Sequence, residues 1–174
     1  SSFKPVIGDT TDLDAKKVKR VVVCAGQVYY DLFNARKEAG NDEVAIVRLE
    51  QLYPFPTEQL AAELAKYPHA RELMWAQEEP KNQGAWYQIR HRLEKLLSGK
   101  QTLQFAGRPS SASPAVGYMS KHVAQLKALL ADAMESTQGA LTELAQAIES
   151  GAVTSTEALS GEVRMLETLI QQMS

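Results

Sequence analysis

Apolar and polar positions along the chain alternate between two rhythms, and the alternation starts at Arg20. "RVVVCAG" (20–26) is a short continuous apolar run closed by glycine, the signature of a strand buried on both faces. "QVYYDLFNARKEAG" follows with Val28, Leu32 and Ala35 at helical spacing and Gly40 as a stop. "EVAIVRLE" (43–50) repeats the strand pattern. "PFPTEQLAAELAKYP" then opens a helix at Pro56 or Thr57, sets Leu60 and Leu64 four apart, and ends before Pro68. "ELMWAQEE" (72–79) is a third strand, and "GAWYQIRHRLEKLLSG" carries the stripe Trp86, Ile89, Leu93, Leu96 of an amphipathic helix. "TLQFAG" (102–107) reads as a fourth strand. "YMSKHVAQLKALLADAM" closes the series with Met119, Val123, Leu126 and Leu130 in register.

Strands and helices in strict alternation predict an α/β fold, a mostly parallel sheet flanked by helices on both faces. In such sheets the loops that leave the carboxyl ends of strands form the ligand-facing edge. Three stretches fall there: "AGQ" after the first run, "WAQEEPKNQGAW" (75–86) after the third and "GRPSSASP" after the fourth. The pattern divides the chain into a linker (1–19), an α/β domain (20–134) and a helical extension (135–174). The extension has no aromatic residue and no strand-like run. Its two stripes, Leu141, Leu144, Ile148 and Leu159, Val163, Leu166, Ile170, predict a helical hairpin that needs a partner surface.

Composition narrows the classes. With 44% hydrophobic and 23% charged residues the chain is that of a soluble globular protein. A net charge of −2 gives no general attraction to nucleic acid or anionic membrane. No apolar run reaches the roughly 20 residues a membrane span requires. The single cysteine, Cys24, rules out an internal disulfide framework and fits a reducing compartment. There is no signal-peptide core, and with no initiator Met the chain is expected to be a piece of a larger protein.

The paired carboxylates Glu78 and Glu79 are the first chemical candidates. Neighbours on a strand point to opposite faces, so they do not converge on one substrate atom while the strand continues. Pro80 holds Glu79 extended or in a turn. Two readings stand: a buried acid at an interface or cleft, held by the "NQG" backbone, or a solvated loop with Asn82 or Gln83 capping the next helix. Trp86 belongs to the core, since it opens its helix's apolar stripe. Around "AGRPSSASPAVG", Arg108, Ser110, Ser111 and Ser113 precede a helix and are candidates for an anion, but the phosphate-loop spacing is missing and a capped loop with no ligand is the favoured reading. His69, His91 and His122 show no metal-ligand spacing, and Cys24 is read as packing rather than nucleophile.

"FKPVIGD", "KRVVVCAGQVYYDL", "VAIVRLEQLYPFP", "WAQEEPKNQGAW" and "GRPSSASPAVGYMSKH" resemble, in order and spacing, the C-terminal domain of the E1 component of 2-oxoglutarate dehydrogenase. The resemblance covers residues 3 to 134 and does not extend to 135–174. It implies a transketolase C-terminal-like domain of an enzyme that decarboxylates 2-oxoglutarate with thiamine diphosphate and Mg²⁺ and passes succinyl to a lipoyl arm on E2. In that family the cofactor and the catalytic groups belong to preceding domains, so no catalytic residue, metal or cofactor is expected in this chain and it should be inert alone. The implied partners are the remainder of E1, a second E1 subunit in a homodimer, and the E2 succinyltransferase, in bacterial cytoplasm or a mitochondrial matrix. Gln77, Glu78, Glu79, Asn82, Gln83 and Trp86 are then expected at a domain or subunit interface. Some relatives carry a regulatory nucleotide or acyl-CoA site, for which the loops after Gly26 and around Gln77 and Arg108 are the places to look. The alternative is a stand-alone protein-binding module derived from this domain, with the helical tail as its partner site.

Overall fold

The computed structural model of the chain describes residues 3–112 and 119–135. Contacts divide the chain into Ser1–Met134 and Glu135–Ser174. The hairpin expected over 135–174 lies outside the described residues, as does Ser113.

The four apolar runs form four parallel strands, β2 (Arg20–Cys24), β3 (Val44–Leu49), β4 (Glu72–Pro80) and β5 (Thr102–Arg108). Between and after them come α1 (Val28–Ala39), α2 (Thr57–Leu64), α3 (Trp86–Glu94) and α4 (Met119–Met134). A further two-residue strand, β1 (Val6–Ile7), pairs antiparallel with β3, Val6 opposite Leu49 and Ile7 opposite Arg48. The sheet order is β1-β3-β2-β4-β5. The chain therefore winds outward from β2 in one direction, returns over it, and winds outward in the other. The reversal lies between β2 and β4, the position at which sheets of this kind open a crevice beyond their carboxyl ends.

Period-2 alternation sorts the strand residues between two cores. Val21, Val23, Ala45, Val47, Leu73 and Trp75 pack with Leu60, Trp86, Ile89 and Leu93 of α2 and α3. Val22, Cys24, Ile46, Met74 and Ala76 pack on the other face with Val28, Leu32, Leu129 and Ala133 of α1 and α4. Burial on both faces is why these strands read as unbroken apolar runs.

Three expectations change. The segment 1–19 is not a linker. It supplies β1, buries Val18 completely, and places Asp9 against Arg36 of α1. Two strand residues are too few for a periodic signal. The buried face of α1 is Val28, Tyr29, Leu32 and Arg36, not Ala35, because the Arg36 guanidinium turns inward to Asp9 and the Val44 carbonyl. In α4 the buried positions are Leu129 and Ala133, whereas Met119 and Val123 are 77% and 44% exposed.

The amino edge of the sheet holds α4 by its end. Arg20 pairs with Glu72 across β2 and β4 at 2.6 Å, and both side chains are buried. The same guanidinium donates to the carbonyls of Asp132 and Ala133 and to Gln104 Oε1. Asn41 Nδ2 donates to the Met134 carbonyl at 3.0 Å. Side chains from β2 and the α1–β3 turn thus satisfy the last carbonyls of α4, which a helix leaves without internal partners.

Candidate functional site

At the carboxyl edge, β4 runs straight into the loop that sequence had marked. Gln77 is 3% exposed, and its carboxamide organises everything around it. Its Oε1 accepts from the Trp75 indole N–H at 2.8 Å and from the Trp86 backbone N–H at 3.1 Å. Its Nε2 donates to the carbonyls of Gln83 at 2.7 Å, Pro80 at 3.1 Å and Glu79 at 3.3 Å. One amide therefore joins strand, loop and the first turn of α3. Gly84 is required beside it. Its φ is +68°, and a Cβ there would sit 2.9 Å from Gln77 Nε2.

Asn82 and Gln83 do not cap α3, whose N-terminal position Ala85 has no side-chain cap. A strand glutamine takes that role, and both residues turn outward to the next loop. Asn82 Nδ2 donates to the Ser111 carbonyl and the Ser111 N–H donates back to Asn82 Oδ1, both at 2.9 Å. Gln83 Nε2 donates to the same Ser111 carbonyl at 3.0 Å. Lys81 N–H donates to the Arg108 carbonyl at 2.9 Å. The loops after β4 and β5 are thereby tied into one surface.

The two glutamates separate as the strand geometry requires. Glu79 is exposed, while Glu78 is half-buried on the α1 and α4 side. There it lines a small cleft with Arg108, His122, Gln125, Leu126 and Leu129. Burial, reinforced by the charges of Asp31 and Glu79 and opposed by His122, raises the Glu78 carboxyl above its usual value. The cleft brings Glu78 and Arg108 together, but not the serines. Ser111 faces Asn82, Ser110 is exposed, and Gly26 serves the backbone, with φ of +75° in the turn into α1.

The remaining candidates lie apart from this cleft or outside its lining, His122 excepted. Cys24 is fully buried, and burial pushes its thiol up to about 12, with Arg48 lowering it and Glu50 raising it. His69, His91 and His122 are exposed. Among the described residues no group of three His, Cys, Asp or Glu is placed to hold a metal ion.

What sequence reasoning missed is an apolar rim. Seven large apolar side chains stand exposed among the described residues, and all but Phe3 follow the carboxyl end of a strand. Tyr30 and Tyr87 lie in the first turns of α1 and α3, Leu52 and Tyr53 between β3 and α2, Met119 and Val123 at the start of α4. The signal was present for four of the six: Tyr30 and Tyr87 fall out of phase with their helices' buried stripes and Leu52 and Tyr53 lie in a loop, whereas Met119 and Val123 sit in register with the apolar positions of α4.

Residues 1–134 match the family model described as 2-oxoglutarate dehydrogenase C-terminal. The chain belongs to that family. A 2-oxoglutarate dehydrogenase E1 component from Cupriavidus necator is 54% identical over 137 residues, 79% of this chain and 14% of that protein. One from Haemophilus influenzae is 52% identical over 133 residues, 76% of this chain and again 14% of the relative. The chain thus spans about 14% of the length of these curated relatives. A solved structure titled split gene transketolase, inactive beta4 tetramer, superposes with a TM-score of 0.51 at 16% identity, covering 76% of this chain and 42% of that one. At that identity it speaks for fold alone, and the 2-oxoglutarate dehydrogenase C-terminal domain is a transketolase C-terminal-like α/β sheet.

Proposed function

We propose that this chain is the assembly domain of a thiamine diphosphate-dependent 2-oxoglutarate dehydrogenase E1 component. Its carboxyl edge packs against the rest of E1 and a second E1 subunit, and Gln77, Glu78, Glu79, Asn82, Gln83 and Trp86 build or support that contact. The observation that carries this reading is the apolar rim, six exposed large side chains that all lie in segments following the carboxyl ends of strands. Such a patch on a soluble domain marks a surface that something covers. The cofactor, its Mg²⁺ and the groups that react with 2-oxoglutarate belong to the parts of E1 outside this chain, as does delivery of succinyl to the lipoyl arm of E2 in the tricarboxylic acid cycle. Bacterial relatives support a bacterial cytoplasm as the setting.

The test uses full-length E1. Tyr53→Ser combined with Tyr87→Ser should weaken the dimer in sedimentation velocity and lower 2-oxoglutarate decarboxylation in parallel. The 174-residue chain supplied with thiamine diphosphate and Mg²⁺ should show no decarboxylation. Turnover by the isolated chain, or an unchanged dimer in the double variant, would overturn the reading.

A further inference from the structure

The two halves of α4 are fastened unequally. Its buried residues, Leu129 and Ala133, lie in the second half, and Arg20 and Asn41 bind the carbonyls of its last turn. In the first half residues 119–124 are exposed, and only Gln125 and Leu126 turn partly inward. Both line the cleft that holds Glu78, Arg108, His122 and Leu129. The free volume of that cleft is about 10 Å³, which is about one water and excludes an organic ligand. A cleft of that size lets groups on its walls meet directly or through one water.

On one wall stands an acceptor with nothing to accept from: Gln125 Oε1 is buried and has no hydrogen-bond partner among the described residues. A buried acceptor left unpaired is costly, so a donor that reaches it changes how firmly the helix sits. His122, one turn earlier on the same helix, leaves that oxygen unbonded. Arg108 is charged at every working pH, so it cannot make the pairing conditional. Glu78 can, and it comes from the facing strand. As a carboxylate it only accepts, which sets two acceptors on the walls of one cleft; as an acid it carries the O–H that Gln125 lacks. Every element packed there bears on which form is present. Burial, then Asp31 of α1 and Glu79 of β4, favour the acid, His122 of α4 favours the carboxylate, and Arg108 of β5 lines the same cleft.

We propose that Glu78 and Gln125 form a proton-operated latch between the end of β4 and the first half of α4. The Glu78 acid, its proton taken from solvent, donates to Gln125 Oε1 and holds the helix to the sheet. Return of the proton to solvent replaces that bond with two facing acceptors and releases this half of α4. Because the bond exists only with the acid, it raises the folded pKa. Its stabilisation is fully present below the unfolded carboxyl pKa and is lost as pH rises through the folded one. Met119 and Val123 stand on the same half of α4, so acid also steadies that part of the apolar rim. This consequence for assembly rests on the contact proposed above, whereas the latch does not.

The experiment follows amide hydrogen exchange along α4 of the full 174-residue chain, normalised to intrinsic rates, together with the Glu78 carboxyl by carbon NMR. Protection of the amides of residues 123–126 should rise about two- to tenfold as Glu78 takes up its proton, while that of 129–134 changes little. Glu78→Gln, a donor at every pH, should hold the protected state throughout. Gln125→Leu removes the acceptor and still excludes water, with Gln125→Met in its place if thermal melts show that the first does not fold. Burial alone would leave the Glu78 pKa of that variant unchanged or push it up, so a fall reads the lost bond. His122→Gln should keep the response with its midpoint moved up, since His122 favours the carboxylate. An unchanged or raised Glu78 pKa in the Gln125 variant would overturn the proposal. So would protection that ignores pH in the wild type, or a response that vanishes with His122.

Discussion

Replacing Gln77 with Ala removes the acceptor for two donors at once. The Trp75 indole, on a side chain 1% exposed, and the Trp86 backbone N–H would both be buried without a partner. A buried donor left unsatisfied costs about 1–3 kcal/mol, whereas the buried Pro80 carbonyl keeps the Gln83 N–H as a partner at 2.8 Å. The two donors together give a loss of about 3–4 kcal/mol. For a domain of this size that lowers Tm by about 10–15 °C. Thermal unfolding followed by circular dichroism measures it, and Trp75 and Trp86, the chain's only tryptophans, report the same site by fluorescence. Gln77→Glu separates acceptor from donor. The introduced carboxylate still accepts from both N–H groups but meets carbonyls where Nε2 donated, so its folded pKa rises above the unfolded value of about 4.3. Its penalty is fully present above the folded pKa and disappears below the unfolded one. That variant should therefore approach wild type as the solution is acidified, and Gln77→Ala should not. A Gln77→Ala protein within about 1 kcal/mol of wild type, with unchanged tryptophan emission, would refute the assignment of this amide as the organiser of the edge.

Other outcomes follow from the same structure. Asp9 is buried, which raises its pKa, but hydrogen bonds from Arg36, Thr11 and the Ile46 N–H outweigh this and hold it below the usual value. Its stabilisation is present above the unfolded pKa and is lost as pH falls through the folded one. Asp9→Asn should cost about 3 kcal/mol at neutral pH, from the Arg36 charge left buried, and less in acid, as urea titrations at several pH values will read. Glu78 is shifted the other way, so Glu78→Gln should raise Tm at neutral pH, with the gain vanishing below the unfolded carboxyl pKa. Cys24, with its thiol pushed up to about 12, should not react with an aromatic disulfide reagent at pH 8 until urea unfolds the domain. Gly84→Ala should lower stability by at least about 1 kcal/mol, because the positive φ and the approach to Gln77 act together.

Much of the architecture was legible because burial on both faces leaves strands no polar alternation to hide in. "VVVC", "VAIV" and "LMWA" each became a parallel strand. The stripe Trp86, Ile89, Leu93 was legible for the corresponding reason on a helix. Periodicity failed where a polar contact redirects a side chain. Arg36 is buried against expectation because Asp9, 27 residues earlier, waits for it. α4 is pinned at its far end by Arg20, so its C-terminal half packs and Met119 and Val123 are left outside. At the site, the grouping of Gln77, Asn82, Gln83 and Trp86 could be read from strand, loop and helix in succession. The partner of each amide could not. Three neighbouring polar side chains compete for the same backbone groups, and the choice depends on which of them the sheet buries.

The Arg20 cluster also bears on how the domain is made. Its partners lie 52, 84, 112 and 113 residues further along the chain. A growing polypeptide that has reached Gln104 but not yet Ala133 can offer this guanidinium Glu72 and Gln104, but not the two carbonyls that complete its set. A chain ended prematurely within α4 would lose these two ties of Arg20 rather than a mere appendage. One side chain of the second strand thus spans the domain in sequence, from β2 to the last turn of α4.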